Sequence, residues 1–239
     1  MIRNILPFVL LASALPAHAA DAPLLAPWGT PGATPAPPWH VAGLPNQKKP
    51  FTKFAIVELE GKRALRVEST ESYGNLVHAL NLDKPPRTLA WQWRIDEPVE
   101  KADLHERQGD DTALKVCVFF DLALEQVPFV ERQVLKVARG KTDEPIPAAT
   151  VCYVWDSHLP TGTAIDNAFT RRMRYIVLEG PDRELKRWAA EKRDIAADFR
   201  RVFGSESPAV PAVIGVAIGA DTDNTHSHSV GYVADLVLE

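Results

Sequence analysis

Cysteine is scarce in this chain: among 239 residues there are two, Cys117 and Cys152. Neither lies in a Cys-x-x-Cys pair or near a His at ligand spacing, which leaves no cysteine-based metal site. No segment reaches the ~18 consecutive apolar residues of a membrane-crossing helix, so no membrane span is expected. Positive charge is not in excess either. The 27 Lys and Arg face 31 Asp and Glu, a formal charge of −4, and that gives no basic footprint for nucleic acid or an anionic membrane. The common catalytic signatures are missing too: no Gly-x-Ser-x-Gly elbow, no His-Glu-x-x-His, no phosphate-cradling Gly-rich loop. There is no internal repeat, no βαβ alternation and no long helical pattern. What remains after these exclusions is a β-rich, mildly acidic chain without an obvious reaction.

Its first residues address it for export. Met1-Ile2-Arg3-Asn4 carries one positive charge, Ile5 to Ala12 is apolar, and Ala17-His18-Ala19 has the small-x-small pattern of a cleavage site. A buried N-terminal helix fits poorly because Pro7 and Pro16 interrupt it. Residues 1–19 therefore read as a secretory signal cleaved near Ala19, placing the mature protein in the periplasm or outside the cell. Cleavage deletes Arg3 and no acid, so −4 becomes −5. No Cys follows the cleavage site to take a lipid anchor. In an oxidising compartment Cys117 and Cys152, both inside strand-like runs, suit either a cross-strand disulfide or two buried thiols.

Residues 20–50 are rich in Pro, Gly, Ala and Thr. The run Ala33-Thr34-Pro35-Ala36-Pro37-Pro38 excludes helix and makes a poor strand, so an extended arm is expected, with Trp28 and Trp39 free to tack it down or to stack on a ligand. Residues 51–239 form one domain. Phe54 to Glu60 and Ala64 to Glu68 flank Gly61-Lys62-Arg63, a hairpin signal. In Leu89-Ala90-Trp91-Gln92-Trp93-Arg94-Ile95, Trp91, Trp93 and Ile95 face one way and Gln92 and Arg94 the other. Further strand patterns occupy 76–82, 112–120, 149–155, 171–178, 213–219 and 230–238. Between Leu122 and Ala149, Val130, Val134, Val137 and Ala138 recur at helical spacing before Gly140. A second helix runs from Ile195 to Phe203, with Asp194 as its N-cap and Gly204 as its stop. Roughly nine or ten strands at this spacing, with one or two short helices, predict an all-β antiparallel β-sandwich of jelly-roll type. Trp91, Trp93, Tyr153 and Trp155 are then core residues before they are sugar-stacking ones.

The chain's densest polar stretch is Ala220-Asp221-Thr222-Asp223-Asn224-Thr225-His226-Ser227-His228-Ser229, enclosed by two strand-like runs. Asp221, Asp223, Asn224 and Thr225 are hard oxygen donors at short spacing, the type Ca²⁺ prefers, although the EF-hand pattern is absent. Asp221 and Asp223 are thus candidate metal ligands and Ca²⁺ the candidate ion. Asp110 and Asp111 would join this binding site if their loop lies at the same end of the sandwich. The competing reading is a set of Asx-turns that hold the loop together. His226 and His228 read first as a solvated loop end, with His78, His105 and His158 unplaced.

Trp91-Gln92-Trp93, Gly109-Asp110-Asp111, Tyr153-Val154-Trp155, the run from Arg193 through Asp198-Phe199 to Phe203-Gly204, and Asp221-Thr222-Asp223-Asn224-Thr225 occur in this order. Together they resemble the exported bacterial domain-of-unknown-function family three-zero-four-seven, from about Phe51 to the end. The resemblance implies a fold and an exported location but no activity. A weaker likeness, to galactose-binding-like and carbohydrate-binding jelly rolls, runs through the last third. The expected function is a non-catalytic periplasmic domain that binds a glycan or other cell-envelope polymer. The alternatives are a glycan hydrolase or lyase using Asp carboxylates and a purely structural envelope protein.

Overall fold

The computed structural model describes residues 22–82, 85–142 and 144–239; the expected signal segment and cleavage site lie outside the described residues. The strands are β1 His40–Ala42, β2 Lys53–Leu59, β3 Lys62–Thr70, β4 Tyr73–Ala79, β5 Thr88–Glu97, β6 Thr112–Phe120, β7 Ala149–Trp155, β8 Ala164–Asp166, β9 Met173–Glu179, β10 Ala189–Asp194, β11 Val213–Asp221 and β12 His228–Leu238. The helices are α1 Phe129–Arg139 and α2 Ile195–Phe203, with one 3₁₀ turn at Leu124–Gln126. A seven-stranded sheet, β1-β4-β11-β6-β7-β9-β8, packs on a five-stranded one, β10-β5-β12-β3-β2. The fold is an all-β sandwich, and its pairings are antiparallel except for β7 with β9, which run parallel. β8 makes that exception local by pairing antiparallel with β9 at the sheet edge.

The core follows from alternation along the strands. Trp91, Trp93 and Ile95 point between the sheets and are at most 2% exposed. Trp91 sits 5.3 Å from the Tyr153 ring and Trp93 5.8 Å from Trp155, so the paired aromatics fill the sandwich. Each large apolar side chain removed from water contributes about 1.5–3 kcal/mol. The β2–β3 hairpin turns at Glu60 and Gly61, both at positive φ (52° and 76°), the geometry that lets a two-residue turn follow the strand twist. Asp194 accepts the Ala197 N–H at 2.9 Å and caps α2, whose Phe199 and Phe203 are fully buried.

The proline-rich arm is packed onto the body. Trp28 and Trp39 are buried in the core cluster with Leu25, and their rings lie 4.9 Å apart. His78 accepts the Ala26 N–H at 3.1 Å and meets the Trp39 ring edge-on, and β1 adds a strand beside β4. Backbone bonds help hold it: the Gly32 N–H donates to the Ile56 carbonyl at 2.8 Å and the Ile56 N–H to the Ala33 carbonyl at 2.9 Å. Cys117 and Cys152 are direct partners on β6 and β7 and form a disulfide, with an S–S distance of 2.06 Å. It lies with Val154, Tyr175, Val177 and Ala217 in a second, smaller cluster on the seven-stranded sheet.

Candidate functional site

The two acidic loops meet because β6 and β11 are antiparallel neighbours: Thr112, which opens β6, is the register partner of Asp221, which closes β11. Gly109 lets the first loop fold tightly, since a Cβ there would lie 2.7 Å from the Asp103 nitrogen. The six predicted binding residues Asp110, Asp111, Asp221, Asp223, Asn224 and Thr225 do converge. What they converge on is chiefly one another.

Asp111 is fully buried. Its Oδ2 accepts the Thr225 N–H at 2.7 Å and the Thr225 hydroxyl at 2.6 Å, while Oδ1 accepts the Asn224 backbone N–H and side-chain amide, each at 3.3 Å. The Asn224 amide also donates to the Asp110 carbonyl at 3.2 Å. Asp221 accepts the Thr112 N–H at 2.7 Å on Oδ1 and the Lys115 ammonium at 2.7 Å on Oδ2. Both partners of that ion pair are inside, at 1% and 6% side-chain exposure. Burial alone would lower the Lys115 pKa; the Asp221 carboxylate, with Tyr73, more than reverses this and raises it above the usual lysine value. Lys115 therefore stays charged.

Asp110 receives the Asn167 amide and, at 3.2 Å, the Tyr175 hydroxyl. Desolvation first, and the nearby Asp221 charge second, push its pKa up to about 6. Thr222, also fully buried, ties the loop to the β3–β4 turn: its hydroxyl lies 2.9 Å from that of Ser69 and its N–H donates to the Ser72 carbonyl. Asp223 is the outlier. It is half-buried, its backbone carbonyl accepts Lys49 at 3.4 Å, and desolvation with the charges of Asp111 and Asp221 raises its pKa.

The geometry is that of a lock. Carboxylate oxygens that face backbone N–H groups and an ammonium have their acceptor capacity used from inside. The cation facing Asp221 is Lys115. Among the described residues no three His, Cys, Asp or Glu side chains are arranged to hold a metal ion. His226, at φ 53°, lies 2.9 Å from Glu71, and His228 lies 2.7 Å from the Thr70 hydroxyl; both are on the loop's outer side. His105 and His158 line a recess with Asp103 and Asp156, whose carboxylates accept backbone N–H groups of their own turns.

Two features escaped the sequence reading. Lys115 was visible as a lone charge in the apolar run of β6, a signal that it has a buried partner. Glu179 and Glu191 had no local signal: they come from different sheets, and desolvation followed by the Glu179 charge pushes Glu191 up to about 7.

The outer face of the five-stranded sheet is built differently. Tyr232 on β12 is flanked directly by Arg94 on β5 and Arg66 on β3, so the three side chains share a face opposite to Trp93 and Val233. Arg94 is held by Asp96 at 2.5 Å and Glu60 at 2.7 Å, and Arg66 by Glu68. One row along, Gln92 donates to Asp235 at 2.8 Å, which is turned toward it by a break in register between Ala234 and Val237. Ala64 and Ala234 fill the floor between these groups.

No curated protein matches this chain. Among solved structures it is similar to the carbohydrate-binding module TmCBM61 in complex with β-1,4-galactotriose, at 9% identity and a TM-score of 0.35, covering 85% of this chain and 88% of that one. It is also similar to the xyloglucanase domain of NopAA, a type three effector from Sinorhizobium fredii, in complex with cellobiose, at 9% identity and a TM-score of 0.44, covering 84% and 92%. A family model spans residues 37–237, and the chain belongs to that family, described as protein of unknown function (DUF3047).

Proposed function

We propose that this protein is a non-catalytic periplasmic domain that binds a glycan or other cell-envelope polymer, and that it does so on the outer face of its five-stranded sheet. The observation that carries this reading is the row Arg66–Tyr232–Arg94, with Gln92 and Asp235 beside it. A phenol ring presents an apolar face to the C–H side of a pyranose. The Arg66 guanidinium, the Asp235 carboxylate and the Gln92 amide around it match sugar hydroxyls as donors and acceptors, while Arg94, only 7% exposed, is held within the face. Because ion pairs within the sheet face already hold these side chains, little rotamer freedom is lost when a ligand arrives. The signal-like N-terminus supports the periplasmic setting.

The acid/base alternative, with Asp111 and Asp221 acting on a glycan, has little support, since both carboxylates are buried and spoken for. The lock they form does favour a second reading, in which the protein is a purely structural envelope component.

A glycan array followed by titration calorimetry separates the readings. The binding reading requires a glycan ligand whose affinity falls about tenfold or more in Tyr232→Ala, a loss of roughly 1.4 kcal/mol. Asp223→Ala and exchange of Ca²⁺ for EDTA should leave that affinity unchanged. If Asp223→Ala abolishes binding and Tyr232→Ala does not, the site belongs to the acidic loop. If no envelope polymer binds, the structural reading stands.

A further inference from the structure

The loops that follow β5 and β7 enclose a recess of about 380 Å³, within the size range of small-molecule sites. Each loop brings the same short pattern to it: Asp103-Leu104-His105 from one and Asp156-Ser157-His158 from the other. In each, the Asp Oδ1 accepts the N–H of the His two residues on, at 3.0 Å and 2.8 Å. These Asx-turns hold both carboxylates and both imidazoles at the recess. Its apolar lining is Ala102, Leu104 and Leu159, and the Tyr232 face shares none of these residues.

The recess offers acceptors and no cation. Asp156 is only 4% exposed, and its Oδ1 takes the N–H groups of both His158 and Leu159. Its Oδ2 is bonded to nothing among the described residues, whereas a buried carboxylate ordinarily has both oxygens engaged. His158 donates from Nε2 to the Glu100 carbonyl at 2.9 Å, which leaves Nδ1 of the neutral ring as an acceptor. No Lys or Arg lines the recess. Arg107, in the same loop, is held elsewhere: its Nε donates to the Ala168 carbonyl at 3.1 Å, and its guanidinium lies 5.5 Å from the Phe169 ring centre. Among the described residues the carboxylates and imidazoles are not arranged to hold a metal ion.

We propose that this recess binds the protonated amine of an amino sugar, with Asp156 as the counter-ion. The ammonium donates to the free oxygen of Asp156 and supplies the charge that a buried carboxylate lacks there. Ring hydroxyls donate to Asp103 and the two imidazoles, and Ala102, Leu104 and Leu159 meet the C–H side of the ring. An ammonium on a flexible stem would bring its three donors to one point. Acceptors that come from two loops suit donors spread around a ring instead. An N-acetylated sugar has no charge to give Asp156.

NMR titration of the purified protein at pH 7 tests this, with glucosamine, glucose and N-acetylglucosamine as probes. Glucosamine should shift the amides of residues 102–105 and 156–159. Glucose and N-acetylglucosamine should bind about tenfold more weakly or less, since a hydrogen bond between charged groups outweighs a neutral one. Asp156→Asn keeps an acceptor for the two N–H groups and should weaken glucosamine about tenfold or more. Asp103→Asn, at an exposed residue, should weaken it about threefold or more and melt with the parent, which keeps a measurement available should Asp156→Asn fail to fold. Tyr232→Ala should leave glucosamine binding unchanged, so this result stands apart from the glycan face. Equal binding of glucosamine and glucose, shifts confined to the Tyr232 face, or parent-like binding by the Asp variants would overturn the proposal. So would Zn²⁺ that titrates stoichiometrically into the parent and not into His105→Ala, since the paired turns would then hold a metal.

Discussion

Replacing Asp221 by Asn tests the lock most directly. The substitution keeps an acceptor for the Thr112 N–H, bonded at 2.7 Å in the parent, but strips the charge that faces Lys115. The ammonium, at 1% side-chain exposure, is then buried without a counter-ion and must deprotonate or drag water inward. Removing one member of such a pair typically costs about 3–5 kcal/mol. In a domain of this size 1 kcal/mol moves the melting temperature by roughly 2–4 °C, so a fall on the order of 6–20 °C is expected.

The double variant Asp221→Asn with Lys115→Met removes both charges and keeps the Thr112 acceptor. A buried pair replaced by packed neutral groups is often near neutral. The double variant should therefore be more stable than Asp221→Asn alone and recover more than half of the loss. Urea unfolding of the four proteins, with the disulfide intact and equal m-values as the check on two-state behaviour, gives the coupling energy directly. A loss below about 1 kcal/mol for Asp221→Asn would refute the reasoning, as would strict additivity of the two single changes. Either result would return Asp221 to the pool of groups available for a ligand.

Two further predictions follow from the same structure. Asp110 and Glu191 have folded-state pKa values of about 6 and about 7, above the ordinary carboxylate values of roughly 4. The folded state therefore binds more protons between those limits, and stability should decline as pH rises from about 4 to about 7. In urea titrations across that window, Glu191→Gln should flatten the decline and be relatively more stable at the alkaline end; an unchanged slope would contradict the placement of Glu191 against Glu179. Removing the disulfide with Cys117→Ala and Cys152→Ala frees a loop of sequence separation 35, which by loop entropy should cost about 4 kcal/mol. Dithiothreitol should reproduce that loss in the parent and have no effect on the variant.

Period-two alternation in 89–95 placed Trp91 and Trp93 between the sheets and Gln92 and Arg94 on the opposite face, and each is where the pleat puts it, with Arg94 buried on that face at 7% exposure. The cap at Asp194 was equally local, since its bond reaches only to Ala197. Strand β10 was missed because Ala189–Asp194 is an edge strand with little apolar pattern, held by pairing to β5. α1 was found at its helical spacing, yet the spacing is silent on which side the body lies. Only the fold shows that Leu135 is inside and Val130, Val134 and Val137 outside.

By itself, the sequence determined what short-range physics can encode: the β-class alternation, the two helices, the hairpin turn and the concentration of Asp, Asn and Thr near the end. Tertiary structure decided what those residues meet. Asp221 had no visible partner until β6 and β11 paired and brought Lys115 and Thr112 against it. Cys117 and Cys152 could be free thiols until β6 met β7 with the two in register. Tyr232 became the centre of a face only when β3, β12 and β5 aligned Arg66 and Arg94 beside it. In each case the partner lies tens of residues or more away in the chain, and strand register, which is set by the whole sheet, is what brings it within reach.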